Sequence, residues 1–106
     1  MRVYRLEKFI GGWMVGDFEP TIIKTKKFEF SIKKYKKGEI GKAHYHKKAE
    51  ELTVVVKGRF KMNKKFLKEG DVVFLKKNEV VDFKCLASGY TAVIKIPSIK
   101  NDKYII

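Results

Sequence analysis

Apolar and polar residues alternate along most of this chain, the two-residue period of strands with one covered face. No ten-residue window carries a helical stripe. In KFEFSIKKY, Phe28, Phe30 and Ile32 share one face while Glu29, Ser31 and Lys33 share the other, which predicts a half-buried strand. LTVVV at residues 52–56 is β-branched and too short for a stable helix; it is expected to stop at Gly58, where glycine permits a tight hairpin. FKMNKKFL at 60–67 predicts a second, short hairpin around Asn63–Lys65. After a turn at EGD, residues 69–71, comes the apolar strand VVFL at 72–75. KKNE at 76–79 turns the chain again, and VVDFKCL then places Val81, Phe83 and Cys85 on one face. ASGY reads as a loop and TAVIKI at 91–96 as a strand ended by Pro97, with no clear period in Ser98–Ile106. Strands recurring every 8–12 residues between turn signals predict an all-β sandwich or barrel, one domain over 1–106 with its core barrel at about 21–97.

Composition narrows the class. With 44% hydrophobic residues and 8 Phe, 5 Tyr and 1 Trp, the chain can bury a core and is not of the disordered type. Its longest apolar runs fall far short of the ~20 residues of a membrane span, and the N-terminal stretch has no signal-peptide core. The single cysteine, Cys85, has no internal disulfide partner, so a cytoplasmic location is expected. The formal charge of +13 comes from lysine spread over the whole chain, not from one basic arm. Scattered lysine with little arginine suits a solvated surface better than phosphate or base readout, and a dedicated nucleic-acid role is not expected. Glutamine is absent, a bias shared with proteins from hot environments.

The chemistry concentrates in AHYHKKAEELTVVVKG, Ala43 to Gly58, which holds both histidines of the chain. Residues i and i+2 of a strand point to one side, so His44 and His46 project two imidazoles into one space. A carboxylate from the next strand would complete a set of two His and one acid with open coordination positions, suited to divalent Fe, Mn, Zn or Ni. The plain alternative is two surface imidazoles beside Lys47 and Lys48.

The spacing resembles the first signature of the cupin family: Gly38, His44, His46, Glu51 and Gly58 fall at each of its positions. Glu50 would fit only a shorter spacing that misplaces the glycine. The second signature is similar but altered. Gly70 and Asp71 stand where that family has them, but Lys76–Asn78 replace its proline–glycine turn, and Val81 replaces its histidine ligand. The resemblance covers roughly residues 36–97. It implies a double-stranded β-helix, or jelly-roll barrel, with metal at His44, His46 and Glu51, a small polar metabolite in the barrel, and a homodimer paired through the outer face or edge. A metal-dependent isomerase or dioxygenase is one reading; a metal-free, non-catalytic module for a sugar-like ligand is another. A basic nucleic-acid-binding barrel ranks below both, and whether the chain is an enzyme stays open. Asp82 is expected to point outward unless a bulge shifts it, and Cys85 to act as a small buried hydrophobe. Trp13, in GGWMVGDFEP, is expected to pack under the N-terminal segment, with lining the mouth of a barrel as the alternative, and Tyr35, Phe60, Phe74 and Phe83 are expected to point inward.

Overall fold

The computed structural model covers residues 1–106, and its regular structure is almost entirely β-strand. These are β1 (Trp13–Gly16), β2 (Ile23–Lys24), β3 (Glu29–Tyr35), β4 (Ile40–His46), β5 (Glu50–Met62), β6 (Lys65–Lys68), β7 (Val72–Leu75), β8 (Val81–Ile96) and β9 (Lys103–Ile105). Two single turns of 3-10 helix, Leu6–Lys8 and Ile10–Gly12, precede them. No helix is long and apolar enough to cross a membrane.

Strand β8 is the spine. Its second half pairs β3 on one side and β5 on the other, so that Val93 faces both Ser31 and Thr53. Its first half pairs β4 through Gly41 and Phe83, and β5 through Phe60 and Cys85. Strand β1 extends the sheet beyond β3, β6 and β7 lie on β5, and β9 lies on β4. All pairs but β1–β2 are antiparallel. The result is the expected double-stranded β-helix.

Two strands run longer than their sequence pattern announces. Strand β5 continues through Gly58 for 13 residues, and β8 crosses the supposed ASGY loop for 16. Gly58 (φ +96°) is a bulge within β5, not a hairpin; the hairpin lies at Asn63 and Lys64, both at positive φ. The bulge inserts one residue, so inward positions change from odd (Thr53, Val55) to even (Phe60, Met62). A strict two-residue reading loses phase there, which is why alternation alone ends the run at Gly58. Backbones nearly touch at this crossing: a Cβ on Gly89 would sit 1.9 Å from the Lys57 carbonyl oxygen.

The barrel interior has two ends. One is apolar, built from Val55, Phe60 and Cys85, with Met62, Leu75 and Val81 packed beside them. Cys85 is fully buried and its Sγ donates to the Ala87 carbonyl, as a small core residue. The other end is polar and inverts the expected face of β3. Glu29 and Ser31 are buried, whereas Phe28 is exposed and Phe30 and Ile32 lie half-buried on the outside. Phe74 likewise faces outward at 50% exposure, contrary to its expected inward position, while Tyr35, Phe60 and Phe83 do point in. The tail also departs from expectation. Asp102 accepts backbone N–H bonds from Lys47, Lys48 and Ala49 at 3.0–3.2 Å, and this anchor lets residues 103–105 add β9 to the edge of β4.

Candidate functional site

The polar end of the barrel encloses a cavity of about 210 Å³. His44, His46 and Glu51 all line it, and Val81 closes the wall directly across the β4–β8 ladder from His44. Glu50 is exposed on the other parity of β5. Asp82 is exposed too, and its carboxylate accepts the Asn63 N–H at 2.8 Å, pinning the β5–β6 hairpin.

The imidazoles stand edge to face with ring centroids 5.3 Å apart. His44 Nδ1 lies 2.9 Å from the Lys42 carbonyl oxygen; a carbonyl can only accept, so Nδ1 carries the proton and Nε2 presents a lone pair. The end of β4 is fixed by the altered turn of the second signature, where the Asn78 N–H donates to the His46 carbonyl at 2.6 Å and Asn78 takes positive φ. Burial pushes both imidazoles toward the neutral form. For His46 the nearby Lys95 ammonium adds to burial, and its pKa falls to about 4.

Lysines share the cavity. Lys33 on β3, Lys95 on β8 and Lys103 on β9 all line it. Lys103 arrives through the tail, since it is paired directly opposite His46. The Lys95 ammonium stands 3.1 Å from Glu29 Oε1 and donates to His46 Nε2 at 3.4 Å. Behind it, Ser98 Oγ donates to Glu29 Oε2 at 3.0 Å and accepts the Asp17 N–H at 2.8 Å. Both Lys33 and Lys95 lie against Trp13, at 4.7 and 5.1 Å from the ring centroid. Trp13 therefore lines the mouth of the barrel instead of merely packing under the N-terminal segment. Burial raises the Glu51 carboxyl above its usual range, while Lys95, Lys33 and Lys103 pull it back.

The donor types suit a divalent ion, but their placement does not. No three His, Cys, Asp or Glu groups converge closely enough to hold one, and the Lys95 ammonium takes the His46 lone pair that a metal would use. Sequence reasoning missed these lysines because it assigned all of them to the surface. The available signal was parity: Lys95 follows Thr91 and Val93 on one face of β8.

No family model matches the chain, and no curated protein matches it either. Solved structures do. A double-stranded β-helix protein from Klebsiella pneumoniae superposes with a TM-score of 0.72 over 98% of this chain and 90% of its own, at 14% identity. KdgF from Halomonas sp. gives 0.65 over 74% of each chain, at 20% identity. Oxalate decarboxylase from Bacillus subtilis, a protein with Mn(II) centres, gives 0.68 at 15% identity; 76% of this chain matches 24% of that one. The fold is that of the cupins, and proteins of this fold include enzymes.

Proposed function

We propose that this cupin barrel binds a short anionic metabolite, a carboxylate above all, in the cavity lined by His44, His46 and Glu51. The observation that carries the reading is the set of three lysines, Lys33, Lys95 and Lys103, lining the same small space. Against them stand two carboxylates, Glu29 and Glu51, and two imidazoles held neutral by burial; burial also favours the neutral form of Glu51, so Lys95 and Lys103 keep positive charge at the cavity even where Lys33 gives up its proton. Electrostatic attraction is strengthened where water is partly excluded. At about 210 Å³ the space is smaller than the ~300 Å³ at which pockets for drug-sized ligands begin, so the ligand has few heavy atoms. NMR titration with a panel of short carboxylates tests this. Shifts confined to the cavity residues are expected, weakened about tenfold or more in Lys103→Ala, on the scale of a lost charged hydrogen bond. Absence of binding by every member of the panel would overturn the reading.

A second reading keeps a divalent ion, Fe, Mn, Zn or Ni, at His44, His46 and Glu51 in a metal-dependent isomerase or dioxygenase. What favours it is that these three side chains line one cavity and that His44, with its Nδ1 proton on the Lys42 carbonyl, keeps a lone pair on Nε2. It requires the Lys95 ammonium to give up His46. Elemental analysis of protein purified without added metal decides: near-stoichiometric metal that disappears in His44→Ala would favour this reading over the first.

Two copies are proposed to pair through the outer face. Phe30, Ile94, Leu52 and Phe74 form one cross-strand row there, with Ile32, Ala92, Val54 and Val72 beside it. Leu52, Val72 and Phe74 are 39–60% exposed. In a chain of charge +13 these rows carry no charged side chain, so two copies can meet there without bringing lysines together.

A further inference from the structure

We propose that Lys33 is a nucleophilic amine that condenses with the carbonyl carbon of a short oxo-acid seated in the barrel. This rests on the anion-binding reading and adds a covalent step to it. Lys33 differs from its neighbour Lys95 in one decisive respect. The Lys95 ammonium is committed to Glu29 and His46, whereas Lys33 has no carboxylate within ion-pair distance. Its Nζ has a backbone carbonyl, Gly11, at 3.4 Å and the Trp13 ring at 4.7 Å. Those contacts hold the amine at the cavity mouth without neutralising it. The position is reachable, because Lys33 also borders the groove between the N-terminal segment and β3, beside Leu6 and Phe9.

Burial and neighbouring ammoniums favour the free base, against the Trp13 ring face, which favours the cation. Burial and the ammoniums of Lys95 on β8 and Lys103 on β9 weaken its hold on a proton, while Glu51 on β5 and Glu29 on its own strand oppose them. Desolvation beside other cations is a general means of activating lysine. The same two ammoniums suit the other end of the ligand. Lys95 uses two of its three N–H donors on Glu29 and His46, which leaves one for a carboxylate oxygen, and the more exposed Lys103 lines the same cavity. An oxo-acid thus meets cations at its carboxylate and a nucleophile at its carbonyl.

The step balances without an oxidant or reductant. The Lys33 nitrogen lone pair forms an N–C bond to the carbonyl carbon as the C=O π pair moves to oxygen, which takes up a proton. The resulting hydroxyl leaves as water with a second proton, the nitrogen loses its remaining protons, and a C=N bond replaces C=O. Amine plus carbonyl gives imine plus water.

Pyruvate and lactate are the probes, since they share a carboxylate and only pyruvate has the carbonyl. The protein is incubated with each in the presence of borohydride, and the adduct is mapped by peptide mass spectrometry; lactate binding is followed separately by NMR. The expected result is a reduced pyruvate adduct on Lys33, about tenfold or more above the average lysine. It is lost in Lys33→Arg and Lys33→Gln, while the unaltered protein binds lactate without forming an adduct. If lactate binds but pyruvate marks Lys33 no more than surface lysines, the inference fails and the anion site stands. If neither compound binds, both fail.

Discussion

His46 is a buried imidazole with an ammonium as its neighbour, and both circumstances resist its protonation. In the folded chain it stays neutral until pH falls to about 4, against 6.5 for a free histidine. Between these values the unfolded chain binds more protons, so this residue makes stability rise with pH. Its contribution is complete above 6.5 and is lost as pH falls toward 4. Glu51 works in the other direction: its raised pKa gives stability at acid pH that fades as pH rises. The thermal midpoint is expected to drop between pH 6.5 and 4, and His46→Gln to flatten that slope. An unchanged slope in the variant would mean that His46 is solvated. At this scale the histidine pair was legible, because HxH in a strand and the spacing from Gly38 to Gly58 are local properties. The lysine partners were not. Lys33 and Lys95 enter the cavity only because strands distant in sequence close around them, and a lysine's letter says nothing about which side of a barrel it occupies.

At the scale of elements, the crossing of β5 and β8 governs the barrel. Gly58 needs its positive φ to bulge, and Gly89 admits the Lys57 carbonyl where any side chain would collide. Gly89→Ala must push two central backbones apart and is expected to cost about 1–3 kcal/mol or more, measured by urea denaturation. A loss below a few tenths of a kcal/mol would show that the crossing is loose. Strand positions were largely readable from alternation, and so were the turns at Asn63 and Asn78, whose residues tolerate positive φ. Strand lengths were not, because the bulge changes phase in mid-strand. Strand β9 was invisible for another reason: its formation rests on Asp102 gathering three backbone N–H groups more than 50 residues away in sequence.

The whole molecule turns part of the usual hydrophobic pattern inside out. Its β3 buries Glu29 and Ser31 while Phe28, just before the strand, faces solvent, and the row from Phe30 to Phe74 continues the apolar surface across four strands. Alternation established that one face of each strand is apolar, but barrel closure decided which face became the inside. If the outer rows pair two copies, light scattering will give twice the 12.4 kDa of one chain, and Phe74→Lys will return the mass to that of one. A single-chain mass in the unaltered protein would refute the pairing.

The clasp of Asp102 on residues 47–49 has a consequence for occupancy. Lys103 completes the cavity only while this clasp is shut, so a ligand that touches Lys103 must favour the shut form by the free energy of that contact. Filling the barrel and fastening its C-terminal edge then become one thermodynamic event. Exposed Lys100 and Asn101, just before the clasp, form the stretch whose susceptibility to cleavage would register whether the barrel is full.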